Sequence, residues 1–309
     1  MWSTPEGMFL LKKAEKEKEE RAMSAECHAH IFMDGKNYKE AAEAHRNGPD
    51  ERLIREHLEA YQREQVNFVR DGGDPYGAGL LARELAPEYG ITYRTPGFAI
   101  HREGRYGKIV GRGYGSREEY RELLRELRRN GGNFVKIMTT GIMDFSADGS
   151  VTGEPLPREE VFWMVAMAHD AGYSVMAHTN GAQAVIDAVE AGVDSVEHGN
   201  FQNEESLQCM AEHHAVWVPT TVTVKNLIGN GRYNDRVLER IYKTQTDNIR
   251  KARALGVLMA AGSDAGAYCV LHGQGIRQEY QVFLETLGDT PEVRQALLEG
   301  ETEIRRCFD

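Results

Sequence analysis

The 309-residue sequence holds few cysteines, no long apolar run and no basic block, and each lack removes a class of protein. Its four cysteines, Cys27, Cys209, Cys269 and Cys307, are scattered without a CxxC pair, which argues against a disulfide framework and for reduced thiols. No segment approaches the roughly 20 apolar residues of a membrane span, so no membrane partner is expected. The opening residues lack the basic-then-apolar order of a secretory signal, and a cytoplasmic protein is the expectation. Lys and Arg number 37 against 48 Asp and Glu, a formal charge of −11. Nucleic-acid binding needs a basic footprint, so nucleic acid is set aside as a partner. No GxGxxG follows the first apolar run, which leaves a dinucleotide fold without specific support. There is no repeat at solenoid spacing and no low-complexity linker.

What the chain does have is alternation. Eight short β-rich runs can be read at 23–30, 66–70, 91–98, 133–138, 174–177, 195–198, 215–222 and 257–261. Helix-period segments lie between them at 51–65, 79–89, 117–129, 158–171, 182–191, 204–213 and 235–255. Gly90, Gly172, Gly192 and Gly256 stand where helices should stop. Strand and helix alternating eight times predict an α/β fold, a parallel (β/α)8 TIM barrel, over residues 25–309. Residues 1–24 are expected to form a charged N-terminal arm. Two long loops, after the third and fourth runs, should overhang the barrel's active face.

The chemistry-bearing residues sit at the C-terminal ends of the runs, where a barrel places its chemistry. His28 and His30, in C-H-A-H at 27–30, are two apart on a strand and share a face, giving two nitrogen donors for a zinc-type site. An HxH pair alone is a weak signal. His178 in V-M-A-H and His198 in S-V-E-H-G strengthen it, each ending its own strand one βα unit apart. Asp264 in A-A-G-S-D-A-G follows the last run, where a carboxylate can ligate a metal and take a proton from metal-bound water. An N-cap role is the bland alternative for such an aspartate. Lys136 in N-F-V-K-I-M is the odd member. A cation beside divalent ions is unfavourable, since an unperturbed lysine titrates at about 10.4. Reaction of the neutral amine with carbon dioxide resolves the conflict, because the resulting carbamate is anionic and offers two oxygens.

With these residues in place, the chain resembles the amidohydrolase superfamily, binuclear type with a carboxylated lysine. The motifs F-V-R-D-G-G at 68–73, K-I-M-T-T-G at 136–141, V-P-T at 218–220, G-S-D-A-G at 262–266 and H-G at 272–273 look like its imidazolonepropionase-like and metal-dependent prolidase branch. The resemblance implies two divalent ions, zinc before manganese, cobalt or iron. His28, His30 and Asp264 would hold one, His178 and His198 the other, and carboxylated Lys136 would bridge them. It implies hydrolysis of a C–N bond in a small molecule, such as a dipeptide or N-acyl amino acid, by a metal-bridging hydroxide. Ester or lactone hydrolysis on the same centre is the alternative.

Two departures from the branch stand out. Relatives carry a small β-sandwich around the barrel, and this chain is expected to lack it, with a homo-oligomer or the arm covering the barrel instead. The branch often has H-x-H-G after strand five, where this chain reads His178-Thr179-Asn180-Gly181. A mononuclear deaminase fits less well, since its glutamate is replaced by Gly181. Expected substrate contacts are His101, His272, Asn180 and Tyr268, with Tyr76 and Arg70 behind them. Arg70, beside Asp71, is read first as an ion-paired structural residue.

Overall fold

The computed structural model describes residues 25–309. The expected arm, residues 1–24, lies outside the described residues. Among the described residues nine strands run in order: β1 (Ala25–Ala29), β2 (Phe68–Asp71), β3 (Thr92–Arg94), β4 (Ala99–Arg102), β5 (Gly111–Tyr114), β6 (Val135–Met138), β7 (Val175–Thr179), β8 (Ser195–His198) and β9 (Val216–Val218). Every pairing between these strands is parallel, in the orders β1-β2-β3 and β5-β4-β6-β7-β8-β9. β3 and β4 are consecutive parts of one bent strand, β3 pairing with β2 and β4 with β6.

The ring closes through residues 257–264. Trp217 N donates to Leu258 O, Ala260 N to Trp217 O, Cys27 N to Ala261 O and Asp264 N to His28 O. The hydrogen-bonded circuit thus returns to β1 after eight positions, as in a TIM barrel. All residues of β1, β2, β6, β7, β8 and β9 are buried, as expected of parallel strands covered on both faces.

The helices are α1 (Tyr38–Ala44), α2 (Glu51–Arg63), α3 (Ala78–Leu85), α4 (Arg117–Arg129), α5 (Arg158–Asp170), α6 (Ala182–Ala191), α7 (Glu204–His213), α8 (Val222–Lys225), α9 (Asp235–Leu255), α10 (Gln274–Leu287) and α11 (Pro291–Phe308). α4 shows why the sequence makes them. The Ser116 side chain accepts from Glu119 N, acids fill the first turn, Arg128 and Arg129 the last, and Tyr120, Leu124 and Leu127 form the buried face. α9 stops at Gly256, whose φ of 80° suits glycine far better than an L side chain. Among the described residues no helix is long and apolar enough to cross a membrane.

Among the strand runs, the structure departs from the sequence reading in three places. The long segment after the third run is not all loop, since it contains β4 and β5. Its glycines hid the pairing: a Cβ on Gly111 would stand 1.9 Å from Ala99 O, so glycine lets β5 lie against β4. The seventh run ends early, and Val222 begins α8. The eighth run makes one bridge, Trp217 to Met259, and otherwise single hydrogen bonds, because it turns off at Gly262 toward Asp264.

Candidate metal centre

Strand register brings the predicted ligands to one end of the ring. Met138 on β6 is level with His178 on β7, and Thr179 is level with His198 on β8. The ring centroids of His28 and His30 lie 5.5 Å apart, those of His28 and His198 4.9 Å, and those of His178 and His198 4.6 Å. Asp264 Oδ1 is 3.5 Å from His28 Nε2 and 3.7 Å from His30 Nε2. Donor atoms of His28, His198 and Asp264 all lie within 4.8 Å of one another. His198 and Asp264 have φ of 65° and 59°, in the left-handed region where non-glycine residues are uncommon. Backbone strain is thus held where the two side chains turn toward the mouth.

Each imidazole has one nitrogen fixed by the protein. His28 Nδ1 meets Glu197 Oε2 at 2.6 Å, His30 Nδ1 donates to Gly73 O at 3.1 Å, His178 Nε2 donates to Gly141 O at 2.9 Å, and His198 Nδ1 meets Thr220 Oγ1 at 2.7 Å. That leaves Nε2 of His28, His30 and His198, and Nδ1 of His178, for a ligand, the arrangement by which proteins orient metal-binding histidines. Glu197 is itself fixed by Arg70 (2.8 Å) and Ser195 Oγ (2.5 Å). Arg70 also donates to Cys27 O and to Ser195 Oγ, each at 2.7 Å.

The electrostatics favour neutral donors. Burial, and after it the charge of Lys136, lowers His30 and His178 to about 3 and holds His28 well below the ordinary histidine range. Burial and the neighbouring histidines do the same to His198. Burial also lowers Lys136 to about 8, against the pull of Glu197, and raises Asp264 to about 7, against the pull of Lys136. Buried and unpartnered, His28 Nε2 and Lys136 Nζ are orphaned polar atoms. Such atoms are costly unless something meets them. A divalent ion fits. Tetrahedral donors at ~2.0–2.1 Å from zinc stand about 3.3 Å apart, close to the His28–Asp264 spacing.

These six residues open into a cavity of about 590 Å³ at the C-terminal end of the ring. Asn180 and Tyr268 also line it. Asn180 is heavily bonded, donating to Gly141 O at 3.0 Å and accepting from Asn200 Nδ2 at 2.8 Å. His101 and His272 are not in its wall. His101 Nδ1 donates to Arg102 O, and the ring packs under Gly107 and Gly113. His272 donates from Nε2 to Met33 O at 2.7 Å, accepts from the Tyr61 hydroxyl at 2.9 Å, and lies 4.0 Å from the His57 ring. Tyr76 stands against Phe32 and His45, away from the cavity.

A family model described as "Amidohydrolase family" matches residues 27–296. The chain belongs to the amidohydrolase family. Its relatives include a protein of Mycobacterium tuberculosis, 32% identical over 113 residues, which are 35% of this chain and 30% of that one. Ochratoxinase of Aspergillus niger is 26% identical over 217 residues, 69% of this chain and 42% of the enzyme. The chain thus spans less than half the length of these curated relatives. Among solved structures, A. niger ochratoxinase superposes with a TM-score of 0.70 at 19% identity, covering 89% of this chain and 69% of that one. A Xaa-Pro dipeptidase with methionine bound in its active site gives 0.66 at 23%, covering 91% and 75%. At such identities the likeness shows the shared amidohydrolase barrel fold.

The sequence reading missed two supports of this amidohydrolase's centre. In the sequence Glu197 is one letter of S-V-E-H and Thr220 one letter of V-P-T, and neither stands at a ligand position. A glutamate inside an otherwise apolar barrel strand is the one signal that was available, since a buried charge needs a partner. Arg70 is ion-paired as expected, with Glu197 in place of the adjacent Asp71.

Proposed function

We propose that the protein hydrolyses a C–N bond in a small amide, such as a dipeptide or N-acyl amino acid. His28, His30 and Asp264 would hold one divalent ion and His178 and His198 a second, with carboxylated Lys136 as a donor shared between them. Bound ions, zinc first among the candidates, supply Lewis-acid polarisation of the amide carbonyl and lower the pKa of water. The observation that supports this most is the set of four neutral imidazoles, each with one nitrogen fixed by Glu197, Gly73, Gly141 or Thr220.

The chain's own residues account for the proton traffic and the positioning. Asp264 lies 3.5 Å from His28 Nε2 in the wall of the cavity, where its carboxylate can take a proton from an attacking water and return it. It accepts a proton from the attacking water and delivers it to the departing nitrogen. Water thus contributes OH to the acyl carbon and H to the amine. Lys136, lowered to about 8, has a substantial neutral fraction near pH 8, the form that combines with carbon dioxide.

Zinc- or manganese-loaded protein is expected to cleave dipeptides or N-acyl amino acids in a substrate screen. Turnover of lactones with no amide cleavage would replace this reading with ester hydrolysis. Asp264→Asn should retain metal by elemental analysis while losing about 100- to 10,000-fold in kcat. Near-parental kcat in that variant would remove Asp264 from proton transfer.

A further inference from the structure

The cavity mouth has a character unlike the rest of the molecule. Tyr38, Ile142 and Tyr268 are 46%, 41% and 43% exposed, and they are the exposed large hydrophobic residues of the described surface. All three line this one cavity. They come from separate segments: the start of α1, the loop after β6 and the turn after Asp264. Scattered single apolar residues need no explanation on a protein surface, but their convergence on one opening does.

Charge at the mouth also runs against the chain. Overall the protein carries a formal charge of −11. Yet Lys36, Lys39 and Arg232 line the cavity, and Asp264 is the carboxylate in its wall. Arg232 lies in the segment between α8 and α9, its guanidinium 4.5 Å from the Tyr268 ring centroid and 5.4 Å from that of Tyr233. Tyr233 in turn packs on Phe145 at 4.9 Å. Among the described residues no carboxylate lies within ion-pairing distance of Arg232. An arginine held by aromatic faces and left without a counter-ion at a cavity keeps its planar fork of donors for an incoming anion.

We propose that the substrate is an anionic amide with two recognised parts. One is a free carboxylate, bound by Arg232 between Tyr233 and Tyr268. The other is a bulky aromatic or apolar group, covered at the mouth by Tyr38 and Ile142. Lys36 and Lys39 add to the attraction of anions from solution. A cavity of about 590 Å³ is in the range that encloses ligands of drug-like size, which gives room for both parts. This assignment rests on the amide-hydrolase reading and narrows it to N-acyl amino acids whose acyl group is large.

The test compares 1-naphthoyl-L-alanine, its carboxamide 1-naphthoyl-L-alaninamide, and N-acetyl-L-alanine on metal-loaded protein. The free acid should exceed the carboxamide in kcat/KM by about 10- to 100-fold, the worth of a charge-assisted hydrogen bond. N-acetyl-L-alanine should be the poorer of the two acids, and a kcat/KM equal to that of 1-naphthoyl-L-alanine would remove the bulky group from the inference. Arg232→Gln should bring the acid-to-carboxamide ratio near one, and Arg232→Lys should restore part of it. Because each variant is judged by its own ratio, a general loss of activity does not imitate the result. Equal kcat/KM for acid and carboxamide in the parent protein would overturn the inference. If no amide is cleaved, the hydrolase reading fails on its own, and equilibrium binding followed by naphthyl fluorescence decides this one. Tighter binding of the acid, lost in Arg232→Gln, would uphold it, and equal binding of acid and carboxamide would end it.

Discussion

At the scale of single residues, the centre depends on groups that never touch its cavity. His28 has no surface exposure, and its Nδ1 is held by Glu197, which Arg70 and Ser195 hold in turn. This chain of bonds fixes the tautomer of His28 and the direction of its free nitrogen. Glu197→Gln keeps the shape but removes the charge, leaving Arg70 buried beside an uncharged amide. Zinc affinity, measured by competition with a chromophoric chelator, should fall about 10- to 100-fold. An unchanged dissociation constant would mean that His28 needs no anionic support.

The residue scale also explains what could be read in advance. His28, His30, Lys136, His178, His198 and Asp264 were legible because each follows an apolar run, and chemistry at strand ends needs no knowledge of partners. His101 and His272 were plausible on the same grounds but are engaged by packing and by backbone carbonyls. Glu197 and Thr220 matter only through a neighbour on another strand, and one-dimensional order does not display such neighbours.

Among the elements, close approach decides the design. α11 packs against the last barrel segment at Gly300, where a Cβ would stand 1.9 Å from Met259 O and 2.5 Å from its carbonyl carbon. Backbone cannot yield as a flexible side chain does, so Gly300→Ala must push the helix outward. We expect a loss of about 1–3 kcal/mol, the usual scale of overpacking, in urea denaturation. An unchanged midpoint would show that α11 slides without cost. Most helices were legible because caps and apolar periodicity agree, as in α4, whose bounds match the sequence reading. β5 was not, because glycine at 111 and 113 reads as loop until its neighbour is known.

For the molecule as a whole, burial of acids sets the response to pH. Asp71 accepts from Ile31 N, Gly73 N and Thr95 Oγ1, and Glu279 accepts from Thr221 N, Thr221 Oγ1 and Val222 N. Burial nonetheless raises both to about 7. An unfolded chain releases these protons near pH 4, so the folded state binds them more tightly. Their contribution to stability is therefore complete below about pH 4 and is lost as pH rises through about 7. The melting temperature of metal-free protein should drop between pH 6 and 8.5, and by less in Glu279→Gln. An equal drop in the two proteins would assign the pH response to other groups.

The join between Asp264 N and His28 O has a consequence for how the protein comes to be made. One proposed ligand comes from near the start of the described residues and another from near their finish, and each relies on the other's strand for its position. A growing polypeptide on the ribosome, even with His28, His30, Lys136, His178 and His198 already emerged, has no completed cradle until the stretch around Asp264 arrives. On the proposed reading, the full set of donors comes together only once the stretch around Asp264 has been made and has paired with β1.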